Sequence, residues 1–155
     1  EFNYYQELLN EMVSSFSFFA KSVNSITGDD VRLSERLYMP QRKLRGFQRG
    51  KVGPVDSNDY VGGNYISSVN LAATLPNVMP NWQTADFSVF LDAANVWGVD
   101  YSSSIDDSNK IRSSAGIALD WHTPVGPLSF SYAGVISKAA TDKTEAFRFN
   151  LGTTF

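Results

Sequence analysis

Apolar side chains in this chain fall at every second position, and that spacing restricts the fold more than any other feature. In the final segment Phe147, Phe149, Leu151 and Phe155 share one side while Arg148, Asn150, Gly152 and Thr154 share the other, the two-residue period of a strand rather than the period of about 3.6 of a helix. Leu128, Phe130, Tyr132 and Ile136 oppose Ser129, Ser131, Ala133 and Ser137 in the same way. Ile111, Ala115, Ile117, Leu119 and Trp121 oppose Arg112, Ser114, Gly116, Ala118 and Asp120. Over 85–97, Phe87, Val89, Leu91 and Ala93 face away from Asp86, Ser88, Phe90, Asp92 and Ala94. Over 64–75, Tyr65, Val69, Leu71, Ala73 and Leu75 face away from Asn64, Ser68, Asn70, Ala72 and Thr74. Over 12–26, Phe16, Phe18 and Ala20 oppose Ser15, Ser17 and Lys21, with Phe19 out of pattern, and residues 1–7 read as the tail of one more strand.

These strands predict an all-β, antiparallel fold, but alternation does not say which face is wet. A soluble sandwich or lipocalin-like barrel alternates as well as a membrane barrel. Connections are short near Leu9, near Pro76 to Asn81 and near Pro124, and long at 27–63 and 98–110, which is the plan of a transmembrane β-barrel. Charged residues make up 19% of the chain and aromatic residues 14%; the charged share lies below the roughly 25% of ordinary globular chains. Tyr65, Trp97, Trp121 and Phe155 lie near strand ends, as interfacial girdles do. The balance favours a transmembrane β-barrel of six to seven strands with one long inserted loop at 27–63 and a last strand at 145–155. A closed bacterial barrel needs at least about eight strands, and the chain opens inside a strand with no export signal. The expectation is therefore a C-terminal fragment of a larger barrel, occupying all of 1–155.

Several chemistries lack their materials. There is no Cys, and His122 is the single His, which excludes thiolate sites and leaves little for imidazole catalysis or zinc. Asp29-Asp30 and Asp106-Asp107 read as solvated carboxylates. Asp56-Ser57-Asn58-Asp59 lacks the glycine and terminal glutamate of a calcium loop, and Gly50-Lys51-Val52-Gly53 lacks phosphate-loop spacing. No enzyme, cofactor or metal site is expected.

The long loop carries the positive charge. Arg32, Arg36, Arg42, Lys43, Arg45, Arg49 and Lys51 face only Glu35 within 20 residues, a surplus of +6 that leaves -9 for the rest of a chain whose net charge is -3. Nucleic-acid binding would call for interleaved stacking aromatics, and only Tyr38 and Phe47 are present. A solvated loop is one reading. The other is a loop folded against a wall that offers Asp86, Asp92 and Asp120, because a buried arginine requires a carboxylate partner.

Leu44-Arg45-Gly46-Phe47, then Gly53-Pro54, then Gly62-Gly63-Asn64 opening a strand, resembles the sixth extracellular loop of the outer-membrane assembly and two-partner-secretion transporter superfamily. Asp92 to Trp97, Ile111-Arg112 through Leu119, Trp121, Pro124, Gly126-Pro127-Leu128, Phe130 to Ala133 and Phe147 to Phe155 resemble its last strands in order. The resemblance implies that Arg45 enters the barrel lumen and pairs with Asp92 on the wall, that Gly46 permits a tight turn at the tip, and that Phe47 packs it. Two departures stand out: Ala72 occupies the place of a second wall acid, and Met39-Pro40-Gln41-Arg42-Lys43 replaces a paired glycine. The resemblance further implies that Phe147, Phe149, Leu151, Gly152 and Phe155 form a C-terminal insertion signal and a strand that closes a lateral seam. On that reading the protein is a non-enzymatic insertase of the bacterial outer membrane. Its partners would be the lipid bilayer, unfolded outer-membrane protein clients and accessory lipoproteins, without nucleic acid. Soluble polypeptide-transport-associated repeats would lie upstream. The alternatives are a secretion or autotransporter-assembly transporter of the same superfamily, a passive porin-like barrel, and a soluble β-sandwich binding module.

Overall fold

The computed structural model describes residues 1–9, 11–76, 78 and 84–151. Nine strands follow one another: β1 (Phe2–Leu9), β2 (Met12–Ser22), β3 (Val55–Asp56), β4 (Asp59–Tyr60), β5 (Tyr65–Leu75), β6 (Ala85–Trp97), β7 (Arg112–Thr123), β8 (Gly126–Ser137) and β9 (Phe147–Leu151). One 3-10 turn, Leu33–Glu35, lies in the long loop. Among the described residues no helix is long and apolar enough to cross a membrane, which says nothing of crossing by strands.

Seven strands form one antiparallel sheet in the order β1-β2-β5-β6-β7-β8-β9, with β1 and β9 at its edges. Strands β7 and β8 are joined by the two-residue connection Pro124-Val125, which makes them antiparallel neighbours. Strand β2 ends at Ser22, short of the 12–26 expected from alternation, with one more bond in register beyond it, from the Val23 N–H to the Asn64 carbonyl at 2.8 Å. β7 begins at Arg112 and runs on to Thr123. The Thr123 hydroxyl donates to the Gly126 carbonyl at 2.6 Å and ties the turn into β8.

Burial is the reverse of a soluble sandwich. The apolar face is bare: Val69, Leu71, Val89, Leu91, Ile117, Tyr132, Phe147, Phe149 and Leu151 are all exposed. The polar face is covered: Asp92 and Ser114 are 0% exposed and Ser68 is 2% exposed. An apolar surface of that continuity fits contact with lipid rather than water. The cover is the segment between β2 and β5, which packs Leu37, Met39, Leu44, Phe47 and Val52 against Ile66, Ala94 and Val96 of the wall. Phe19, the residue that breaks the β2 alternation, lies on this covered face, packed against that cluster with Lys43 Nζ 5.6 Å from its ring centre. It is an inner-face contact for the loop.

At the loop end of the sheet Tyr65 and Trp97 are cross-strand partners with stacked rings 5.7 Å apart. Such pairs add to a sheet beyond the area they bury.

Candidate functional site: the loop clasp on the inner wall

Strand register builds a transverse row on the covered face. Ser17 of β2 lies opposite Asn70 of β5, Asn70 opposite Asp92 of β6, Asp92 opposite Ser114 of β7, and Ser114 opposite Val135 of β8. The loop crosses the sheet along this row. Lys43 Nζ donates to Ser17 Oγ at 3.0 Å, and its carbonyl accepts from Asn70 Nδ2 at 2.8 Å. Arg45 grips Asp92 at both ends of its guanidinium, Nε to Oδ2 and Nη2 to Oδ1, each at 2.7 Å, and its backbone N–H adds a third bond to Oδ2 at 3.1 Å. Asn70 donates to Oδ1 at 2.9 Å, and Ser114 Oγ donates to the Arg45 carbonyl.

A fully buried carboxylate is costly unless its acceptor sites are filled. Here four N–H donors fill them, two of them through a planar fork that matches the carboxylate. The guanidinium carbon also lies 3.5 Å from the centre of the Phe90 ring, a stacking that desolvates the cation favourably. Ala72, in the place of a second acid, lies opposite Phe90 and packs with it, Ala118 and Ala133 in a small apolar cluster. An aromatic floor thus stands beside the arginine on that side, and Asp92 is its ion-pair partner among the described residues.

Beyond Arg45 the chain must turn against the wall. Gly46 does so at φ +88, and a Cβ there would stand 3.1 Å from Ala133 Cβ and 3.3 Å from Ser114 Cβ. Both the backbone angle and the space demand glycine. Phe47, 2% exposed, then sinks into the loop core. From this point the loop pairs with the connection between β8 and β9. Glu145 N–H donates to the Gly46 carbonyl, Gln48 N–H to Lys143, and Lys143 N–H to Lys51, with Phe47 and Thr144 bridged as antiparallel partners.

A wall of antiparallel strands clasping an Arg-Gly-Phe loop by its inner face is therefore present. The model of the Omp85 superfamily domain matches residues 1–155. The chain belongs to the Omp85 superfamily. Among its relatives, the outer membrane protein assembly factor BamA of Neisseria meningitidis serogroup B is 33% identical, the match covering 72% of this chain and 17% of that protein. BamA of Neorickettsia risticii is 26% identical over 88% of this chain and 19% of its own length. The crystal structure of BamA from Haemophilus ducreyi lacking POTRA domains 1–3 superimposes with a TM-score of 0.83 at 32% identity, covering 95% of this chain and 32% of that one. This Omp85 chain thus spans about a fifth of the curated relatives it matches.

Two further arginines of the Omp85 chain are buried against aspartates that the alternation pattern does not single out. Arg112 Nε bonds Asp142 Oδ2 at 2.8 Å, both side chains almost wholly buried. Asp142 also accepts from Gly53 N–H at 3.2 Å and Ala139 N–H at 2.6 Å, while Arg112 Nη1 reaches Asn95 Oδ1 and the Lys110 carbonyl. Arg36, its side chain 1% exposed, pairs with Asp100 and lies 4.8 Å from the Tyr101 ring centre. Burial alone would raise the Asp100 carboxyl, but the Val31 N–H, the Asn64 amide and Arg36 hold it down at about 2.

The other wall acids do not join the clasp. Asp86 and Asp120 face each other at the short-turn end of β6 and β7, with Asp120 accepting from Ser129 Oγ. The loop crosses the sheet at the Asp92 row and never reaches them. Asp56-Ser57-Asn58-Asp59 is the β3–β4 hairpin, with Ser57 and Asn58 both at positive φ as a two-residue hairpin turn requires. Asp107 accepts from Val99 N–H, and Asp106 from Ser108 and Lys110 within its own loop. Phe147, Phe149 and Leu151 lie exposed on the outer face of β9, whereas Gly152 and Phe155 lie outside the described residues.

Proposed function

We propose that this chain is part of an outer-membrane protein assembly factor, working in the bacterial outer membrane as a non-enzymatic insertase. The observation that carries the reading is the clasp: a loop arginine held by three bonds to one wall carboxylate, on the covered face of a sheet whose opposite face is apolar and bare. A passive porin-like barrel would share the strands but has no reason for the Arg-Gly-Phe tip. Weak pairing at a sheet edge exposes N–H and C=O groups that can template an incoming strand, so a seam closed by β9 would act on unfolded outer-membrane protein clients without covalent chemistry, nucleotide or cofactor. Exposed Phe147, Phe149 and Leu151 suit both lipid contact and a C-terminal recognition signal, and accessory lipoproteins complete the proposed partner set. The names of the relatives favour assembly over secretion within the superfamily.

Depletion of the complete protein in its own cells tests the reading. A general fall in folded outer-membrane proteins is the expected result. Loss of solute permeability alone would point to a pore, and loss of one secreted substrate to a secretion transporter; either would displace the assembly reading.

A further inference from the structure

The segment that leads into the last strand changes partner along its length. From Leu151 to Phe147 it pairs with β8, and the Ala133 N–H still reaches the Ala146 carbonyl. One residue earlier the Glu145 N–H turns to the Gly46 carbonyl, and 143–145 pairs with the long loop instead. The loop therefore supplies the ladder for the outer end of this segment. Arg148 stands at the changeover. It is opposite Ser131 on the covered face of β9, is 6% exposed, and sends Nη2 to the Phe47 carbonyl at 2.6 Å, Nη1 to the Gln41 carbonyl at 3.3 Å and Nη2 to Glu145 Oε2 at 3.1 Å. With its amide in the orientation that satisfies both of its atoms, the Gln41 side chain also accepts from Arg148 Nε at 2.8 Å. Two of the three residues that satisfy this cation belong to the loop, and one of them is the Phe of the Arg-Gly-Phe tip.

We infer that Arg148 is a positioning residue that couples docking of the long loop to pairing of the last strand. A buried cation stripped of its acceptors is strongly disfavoured, so β9 can hold its place beside β8 only while the Phe47 carbonyl and Gln41 are in position. Release of the loop tip strips Arg148 of its Phe47 and Gln41 acceptors, leaving Glu145 alone, and loosens β9, and withdrawal of β9 from β8 breaks the link to Phe47. The functional meaning of this coupling, control of the seam, rests on the insertase reading above; the coupling itself does not.

The test is backbone amide exchange on the complete protein in lipid nanodiscs, comparing wild type, Arg148→Met and the milder Arg148→Gln, which keeps a neutral donor. The expected result is a gain of about tenfold or more in exchange at 145–151 for Arg148→Met, a smaller gain for Arg148→Gln, and wild-type protection around Asp92 and Asn70. Unchanged exchange at 145–151 in both variants overturns the coupling, as does a loss of protection spread evenly over the whole barrel. If Arg148→Met does not fold, Arg148→Gln carries the same comparison. Client insertion by the same samples is scored separately. Exchange as expected with client insertion unaffected by either variant would uphold the coupling and count against the seam as the working element.

Discussion

Arg112 and Asp142 form an ion pair at 2.8 Å in which both side chains are almost wholly buried, and through the Gly53 N–H on Asp142 that pair ties β7, the long loop and the β8–β9 connection into one knot. Removing one side of such a pair leaves the other buried and uncompensated. Arg112→Met or Asp142→Asn is therefore expected to cost about 3–5 kcal/mol, and the double variant Arg112→Met/Asp142→Asn distinctly less than the sum. Urea titration of the complete protein, followed by its heat-modifiable gel shift, measures this. Additive losses would show that the two side chains are not coupled.

Arg45 is expected to resist replacement by lysine. The ammonium can approach Asp92, but it cannot fill both carboxylate oxygens in one plane or lie flat on Phe90. Arg45→Lys should weaken loop docking by about 2 kcal/mol, seen as faster protease cleavage of the loop in intact vesicles. Cleavage at the wild-type rate would mean that the backbone bonds of the segment hold it without the fork.

Gly46→Ala adds one methyl group. The left-handed backbone alone costs roughly 1–2 kcal/mol, and the new carbon would press on Ala133 and Ser114. The loop tip should lift, raising amide exchange at Gln48 and Glu145 together, because the Glu145 N–H bonds the Gly46 carbonyl and the Gln48 N–H bonds the Lys143 carbonyl in the same pairing. Exchange confined to one of the two sites would contradict that shared origin.

Acid should undock the outer part of the loop. The Asp100 carboxyl lies at about 2 in the folded protein against 3.8 ordinarily. A depressed carboxyl contributes stability that is fully present above its unfolded value and disappears as pH falls through the folded one. Protection of the Val31 amide, which Asp100 accepts, should thus hold down to about pH 4 and fall between 4 and 2. Asp100→Asn should be less protected at neutral pH and flat across that window. An unchanged profile in the variant would assign the acid response to another group.

How much of this was legible beforehand can be judged at particular residues. Alternation puts Asp92, Asn70, Ser114 and Arg148 on one face of their strands, and all four lie on the covered face. Phe19 looks like noise in the pattern and is a loop contact, because an aromatic on the polar face has a purpose only once a loop lies over it. The loop's seven basic residues signal a need for acids without saying which. Asp86 and Asp120 are as well placed by alternation as Asp92, yet the loop passes above neither. Asp100 and Asp142 sit in polar connections where nothing local separates them from solvated carboxylates.

The sequence by itself determined which way each strand residue points, since a two-residue period is a property of the extended backbone and needs no neighbour. It also determined that a cationic loop of that length must either dock or stay in water. Only the tertiary structure decided that Ser17, Asn70, Asp92, Ser114 and Val135 stand in one row, because register depends on the turns and on the irregularity at Ser113 and Ser114, which no single strand encodes. That row sets where the loop crosses, and hence which arginine meets which aspartate.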